Sequence, residues 1–370
     1  MSARPTLADV ARAAGVSPTT ASHALSGKGR VDERTRAEVR RVADDLGYVP
    51  SRAARSLALG RSDTIGLLLP QLAQMPLDEL LSTDWYGRAA AAASHAALRH
   101  QRALAVLPPI RTPADLSAFA LDGVIVLDPI VDDPRWPALV HSSMPMVLLG
   151  IDPSGQLGPS VVADLAHGIR ALLDHLHERG ARKIGVVATD IAWAAGDETL
   201  VAYRDWCRTR DVPEAVAVAH VSSCRSRAEA AGAGQSAALG MLSSTDRPDA
   251  VIGLLEDFGR GILGAARELG LSVPGDLLVA QDIDGVVAQV NDPPITAIDL
   301  NISGQLDAAV DLLVDDKQTD RALVRTVPVS LTVRASSGGS HAYSSGTPSP
   351  EERAIPNQMF WQPVDARTPC

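Results

Sequence analysis

Residues 6–27 carry two helix starts and two helix stops, and this punctuation constrains the chain more tightly than any other feature. Thr6 precedes Leu7-Ala8-Asp9, so its hydroxyl can cap a helix while the acid three residues on closes a capping box. Leu7, Val10, Ala11 and Ala14 recur at helical spacing and predict an inward apolar face. Gly15 ends that helix, because glycine takes the left-handed conformation without steric penalty, and Val16 is expected as a buried turn residue. Ser17-Pro18 opens a second helix: serine caps it, and proline suits the first helical position, where an N–H would have no helical acceptor. Ala21 and Leu25 are expected to face the core, with Gly27 ending the helix. A third helix is predicted from Asp32, carrying Val39, Val42, Ala43 and Leu46 inward and stopping at Gly47.

Two short helices joined by a glycine turn and braced by a third make a helix-turn-helix unit, whose second helix enters the DNA major groove by its N-terminal residues. Here those residues are Pro18, Thr19, Thr20 and His23. Thr19 can touch a thymine methyl or donate a hydrogen bond, and His23 can donate to guanine N7 or O6. Neither is a bidentate reader, so each contact should discriminate at the lower end of about 1–3 kcal/mol. Thr6, Ser17, Ser22, Lys28 and Arg30 complete the candidate DNA contacts, the last four as phosphate ligands. The competing reading is a small three-helix bundle that meets no nucleic acid.

The net charge of −10 hides an asymmetry. Residues 1–61 hold 11 basic and 6 acidic side chains, leaving 23 basic against 38 acidic in the rest. A basic head on an acidic body suits a module that meets phosphate while its body avoids it. No apolar run is long enough for a transmembrane helix, and the first residues lack a signal-peptide stretch, so a cytoplasmic protein without membrane contact is expected. Cys207, Cys224 and Cys370 lie far apart and read as reduced thiols.

The segment Thr6-Leu-Ala-Asp-Val-Ala-Arg-Ala-Ala-Gly-Val-Ser17 resembles the opening signature of the lactose-repressor (LacI/GalR) family of bacterial transcriptional regulators. So do Thr19-Thr-Ala-Ser-His-Ala-Leu25, Val31, Thr35-Arg36 and Leu46-Gly-Tyr-Val-Pro50. Ser51-Arg-Ala-Ala-Arg-Ser-Leu57 is similar to the family's hinge helix, although the family often has Asn where Ser51 stands. The resemblance implies that this hinge folds when two subunits meet over the minor groove. Leu57 would wedge into the central base step, with Arg52, Ala54 and Arg55 against the groove.

Beyond residue 62, apolar β-rich runs alternate with helical stretches: Thr64–Leu69, a helix Tyr86–His100, Ala103–Leu107, Gly123–Leu127, Met146–Leu149, Lys183–Val187, Ala250–Leu254 and Leu277–Ala280. Strands separated by helices predict parallel sheets covered on both faces, with ligands beyond the C-terminal strand ends. The family likeness continues through Asp122-Gly123, Pro145–Gly150, Arg247-Pro-Asp-Ala250, Leu269–Asp276 and Pro293–Thr296. It implies an all-α helix-turn-helix domain followed by an α/β periplasmic-binding-protein-like effector domain of two parallel-sheet subdomains. The expected boundaries are 1–50 for the head, 51–61 for the hinge, 62–334 for the effector and dimerisation body, and 335–370 for a disordered Gly/Ser/Pro-rich tail holding Met359-Phe-Trp361. The chain should cross between subdomains near 162, 290 and 323.

The same resemblance implies an operator-binding homodimer, or a tetramer built on it, with a sugar or related metabolite in the cleft. Asp282, Asp164 and Asp257 stand at strand ends, where carboxylates accept bonds from hydroxyls or amines. Trp85 and Trp193 are candidates to stack on a ligand's apolar face. Thr199 occupies the position where many members carry an Arg clamp, which leaves the effector class open. No cofactor, metal or enzymatic role is expected. Gly259-Arg-Gly261-Ile-Leu-Gly264, with Asp282 eighteen residues on, nevertheless spells a dinucleotide fingerprint, so a nicotinamide-dependent oxidoreductase is one alternative. Against it, Glu256 and Asp257 directly precede the glycines and would repel a pyrophosphate. A cytoplasmic solute-binding protein is the other alternative. His175-x-His177 has no third ligand nearby in sequence.

Overall fold

The capping chemistry of the first fifty residues organises the head of the structure, a computed structural model that describes residues 5–27, 29–49, 61–72, 74–152, 157–315 and 320–338. Thr6 caps α1 (Leu7–Ala13) through a complete capping box with Asp9. Gly15 turns the chain at φ +66°. Ser17 caps α2 (Pro18–Ser26), and Asp32 caps α3 (Glu33–Asp45). Val10, Ala11, Ala21, Ala24, Val39, Val42 and Ala43 form the head's core, with Leu7, Ala14, Val16 and Leu25 only partly buried at its edge. Leu46, expected to point inward, is 39% exposed. Helix α3 has ended by then, and Tyr48 folds back onto the core beyond Gly47, its N–H bonded to Ala43 O.

The body contains two six-stranded sheets. The first is built from β1 (Thr64–Leu68), β2 (Ala103–Val106), β3 (Gly123–Leu127), β4 (Met146–Leu149), β5 (Ser160–Ala163) and β11 (Val324–Val327), in the order β11-β5-β4-β3-β1-β2, all parallel. The second comprises β6 (Ile184–Thr189), β7 (Val216–Ala219), β8 (Ala250–Gly253), β9 (Leu278–Gln281), β10 (Thr296–Asp299) and β12 (Ser330–Thr332), in the order β12-β10-β9-β8-β6-β7. Only the pairing of β12 with β10 is antiparallel. The central strands β1, β3, β4 and β8 are buried along their whole length, as continuous Val/Ile/Leu runs between two helical layers must be.

Around the first sheet lie α4 (Leu77–Leu81), α5 (Asp84–Arg99), α6 (Pro113–Ser117) and α7 (Trp136–Val140). The second is covered by α8 (Leu165–Glu178), α9 (Ala194–Arg210), α10 (Arg227–Leu242), α11 (Phe258–Glu268) and the short α12 (Val286–Val290). The last helix, α13 (Ile302–Val314), returns to the first sheet beside α5, where Ala89, Ala93, Ala96 and Ala97 are fully buried.

The chain passes from the first subdomain to the second between β5 and α8, back between β10 and α13, and over again between β11 and β12. The first crossing, at about 164, matches expectation. The second comes about ten residues later than expected, because Ala288 of α12 packs into the second subdomain and residues 296–299 add a strand to its sheet before the chain leaves. The third falls at Pro328-Val329, since residues 324–327 form the edge strand of the first sheet. The tail boundary also moves. Ala335–Ser337 form a buried 3-10 turn in which Ser336 Oγ donates to Val279 O and Ser337 Oγ sits 2.6 Å from Thr296 Oγ1 and 2.8 Å from His175 Nε2. Residues 335–338 thus belong to the second subdomain. Residues 339–370, including Met359-Phe-Trp361, lie outside the described residues.

Candidate functional site

Helix α2 presents its first turn outward. Ser17, Pro18, Thr19 and His23 are exposed, while Ala21 and Ala24 hold the opposite side in the core. Ser17 Oγ accepts from Thr20 N at 3.0 Å and lies 2.8 Å from Thr20 Oγ1, so the two hydroxyls fix each other. The helix start, with its positive dipole end, therefore faces solvent with Thr19 and His23 beside it. Thr20 and Ser22 are half-buried, and Arg30 is exposed in the following loop. Thr6 is exposed, but its hydroxyl is held by Asp9, whose carboxyl the Thr6 hydrogen bonds lower. Lys28 and the hinge candidates Arg52, Ala54, Arg55 and Leu57 lie outside the described residues.

Between the two sheets is a cavity of about 240 Å³ with mostly apolar walls. Asp128, Thr189 and Asp282 reach it from strand ends, the place where parallel α/β sheets collect ligands, and Trp85, Glu198, Thr199, Arg227 and Gln305 from helices. Trp85, Trp193, Thr199, Asp257 and Asp282 all line it. Asp164 does not: it caps α8, its Oδ1 accepting from His167 N at 3.1 Å. The strand-end carboxylate at that crossing is spent on starting a helix.

The lining acids differ in what they already hold. Asp257 is taken up by two guanidiniums, with Arg227 Nε at 3.1 Å and Arg260 at 3.1 Å. Asp128, at the end of β3, accepts the Trp85 indole N–H at 2.9 Å, and burial pushes its carboxyl above the usual range. Asp282 differs from both: its Oδ1 is buried without a hydrogen-bond partner, and burial pushes its carboxyl up to about 7. An acid held near neutrality in a cavity is a recurring mark of a functional position.

Residues that sequence reading passed over hold the cavity's rims together. Glu256 receives the N–H groups of Asp84 and Trp85 at 2.9 and 2.7 Å, placing a carboxylate from the second subdomain on the N-terminus of α5 in the first. Arg227 bonds both Glu256 and Asp257 and donates to Ser82 O at 2.8 Å. Asp84 Oδ2 accepts from Val286 N, and Arg88 donates to Asp284 O at 2.7 Å. On the other rim, Ile130 and Trp193 form an antiparallel bridge, with Val131 N donating to Ala192 O at 2.9 Å. Fully buried Arg135 fixes the strand ends behind Asp128 by bonding Leu68 O, Leu127 O and the Asp133 carboxylate.

The glycines of the fingerprint stand inside α11, not in a strand-to-helix turn. A Cβ on Gly259 would lie 2.3 Å from Gln281 Oε1, and one on Gly261 would lie 2.9 Å from Gln235 N of α10. They let helices α10 and α11 and strand β9 approach closely, and the phosphate-cradle reading fails with them.

Comparison with known proteins agrees with this architecture. The family model described as bacterial regulatory proteins, lacI family, matches residues 6–51, and a periplasmic binding protein-like domain matches residues 173–337. The chain belongs to the lacI family of bacterial regulatory proteins. It is similar to the HTH-type transcriptional regulator CelR of Thermobifida fusca, 29% identical over 310 residues that cover 80% of this chain and 86% of that one. A solved complex of the transcriptional regulator CelR with cellobiose is 26% identical and superposes with a TM-score of 0.65, covering 90% of this chain and all of that one. The lac repressor dimer bound to operator and the anti-inducer ONPF superposes with a TM-score of 0.73 at 22% identity, covering 90% of this chain and 99% of that one. This lacI-family chain is accordingly a DNA-binding transcriptional regulator. Among the described residues, no helix is long and apolar enough to cross a membrane, and no cluster of three or more His, Cys, Asp or Glu could hold a metal ion.

Proposed function

We propose that this regulator is a cytoplasmic, non-enzymatic repressor that binds a palindromic operator as a homodimer and is controlled by a small molecule in the inter-subdomain cavity. The observation that carries this reading is the joining, in one chain, of an outward-facing Ser17-Pro18-Thr19 helix start to a cavity whose rims are clasped from both subdomains. The operator-bound lac repressor dimer and the cellobiose-bound CelR structure support the two halves of the reading. Residues 1–50 would be the reading head, 51–61 a hinge and 62–338 the effector and dimerisation body. Thr19 and His23 would face bases, while Thr6, Ser17, Thr20, Ser22 and Arg30 would meet the backbone. Trp85, Trp193, Thr199 and Asp282 would face the effector, and Asp257 would act through Arg227.

An effector moves the DNA equilibrium only by binding the two subdomain arrangements unequally. A ligand in contact with both subdomains meets that condition. The test is selection of binding sites from a random DNA pool by the full-length chain beside one lacking residues 1–61. Enrichment of a palindrome of about 16–20 base pairs by the full-length chain alone is the expected result. Failure to enrich any sequence, both without additives and with a cell metabolite extract, would refute the reading.

A further inference from the structure

We propose that the cavity's ligand is a small organic cation, an amine carried on an apolar body, with its ammonium group on Asp282. This inference rests on reading the cavity as the effector site and adds the chemical class that it admits.

Most of the cavity's buried carboxylates are already taken. Glu256 is committed to two N–H groups of α5, Asp257 to Arg227 and Arg260, and Asp128 to the Trp85 indole. Among the described lining residues, Asp282 Oδ1 alone is a buried side-chain oxygen or nitrogen without a partner. The Asp282 backbone N–H is already spent on Gly253 O at 3.0 Å. A polyhydroxylated ligand would bury several hydroxyl groups against mostly apolar walls, and each one left unsatisfied would weaken binding. A ligand with one concentrated donor group meets one concentrated acceptor.

Charge points the same way. The described lining residues include five carboxylates, on Asp128, Glu198, Glu256, Asp257 and Asp282, against the single guanidinium of Arg227. Arg227 is occupied by Glu256 and Asp257, and Thr199 supplies no charge. A carboxylate or phosphate entering this cavity would find net negative charge and no free cation. An ammonium would supply the countercharge that Asp282 lacks, in surroundings where a charge-assisted bond is roughly twice as strong as a neutral one. The wall suits such a ligand too. Leu72, Met75, Ile191 and Leu254 offer an apolar surface, and the Trp85 and Trp193 indoles can attract a cation through their faces as well as cover an apolar body.

The test uses the full-length chain, titrated by tryptophan fluorescence and by thermal midpoint with three matched probes: 2-phenylethylamine, 2-phenylethanol and 3-phenylpropionate. The expected order is amine first, alcohol about tenfold weaker, and carboxylate without effect. Asp282→Asn should remove the amine's advantage over the alcohol. The alcohol or the carboxylate binding as tightly as the amine would overturn the proposal. A second arm fractionates a cell metabolite extract by ion exchange and reads thermal midpoint and operator affinity. Activity retained on the cation exchanger supports the proposal. Activity confined to the flow-through or to an anion exchanger overturns the ligand class while leaving the effector cavity standing, and absence of activity in every fraction overturns both.

Discussion

Asp282→Asn should stabilise the ligand-free body at pH 8 far more than at pH 5. The Asp282 side chain is half-buried, its Oδ1 is buried without a partner, and desolvation raises the carboxyl from 3.8 to about 7. A raised folded value means that the folded chain keeps a proton that the unfolded chain releases. The cost is absent below the unfolded value, grows as pH rises through the interval from 3.8 to about 7, and is complete above it. At about 1.4 kcal/mol per pH unit, ionising this group costs the native state about 4 kcal/mol at pH 8 and between 1 and 2 at pH 5. Asparagine keeps the shape and does not titrate. The advantage of the variant should therefore grow by about 2–3 kcal/mol from pH 5 to pH 8, which for a domain of this size is roughly 4–8 °C in thermal midpoint. Calorimetry of both proteins at the two pH values, without ligand, reads this directly. An equal midpoint difference at both pH values would mean that Asp282 titrates as an ordinary carboxylate, and the argument from its burial would be wrong.

Arg227→Met should destabilise the body by about 3 kcal/mol in urea unfolding, because it removes the guanidinium paired with Glu256 and leaves Asp257 with Arg260 alone, while their side chains are only 8% and 5% exposed. No change would mean that Arg227 contributes nothing to the cross-subdomain clasp. Gly261→Ala should cost about 1–3 kcal/mol by the same assay, since its methyl would press on Gln235 N and Ala231 O, which are backbone atoms that cannot swing aside. A neutral effect would reopen the question of why glycine stands there. Leu57→Ala should weaken operator affinity at least tenfold in gel shift while the body's melting stays unchanged, as expected of a lost minor-groove wedge. Unchanged affinity would remove residues 51–61 from the DNA contacts.

The head was legible almost atom by atom because helix caps are local. Thr6, Ser17 and Asp32 each act on an N–H three residues away, so their consequence is written beside them. The central strands were legible for a related reason: burial on both faces leaves an unbroken apolar run. Edge strands need no such run, because one side of them is open, and Val324-Arg-Thr-Val327 lacks one. Val216–Ala219 and Val324–Val327 are mostly exposed or half-buried and pass unnoticed in sequence, and missing the latter displaced the third crossing. The cavity was half legible. Strand-end acids could be picked out, but which of them is free depends on partners far away in sequence. Nothing near Asp257 announces that Arg227 will neutralise it, and nothing near Glu256 announces that it will sit on a helix start 171 residues earlier. The fingerprint at 259–264 misled for the opposite reason, since glycine spacing alone cannot distinguish phosphate from a neighbouring helix.

The route from the cavity to the proposed hinge can be followed in the first subdomain. The chain enters the body at Ser62-Asp63, and both backbone N–H groups there are held by the Asp122 carboxylate, which Arg102 also binds. β1 begins at the next residue and lies between β2 and β3. The far end of β3 leads to Asp128, which lines the cavity and holds Trp85. Entry point and cavity wall are therefore opposite ends of the same buried strands, with little slack between them. In the proposed mechanism, a ligand that disturbs Trp85 or the Glu256 contact beneath it loosens the first subdomain from the second and shifts the anchored entry point with it. The coupling then depends on the rim bonds being of the same order as the ligand's own contacts. A regulator whose rims were joined by a large apolar interface would bind its effector without responding to it. The contacts that join the rims include hydrogen bonds from side chains to backbone groups, which a polar ligand group can exchange for its own.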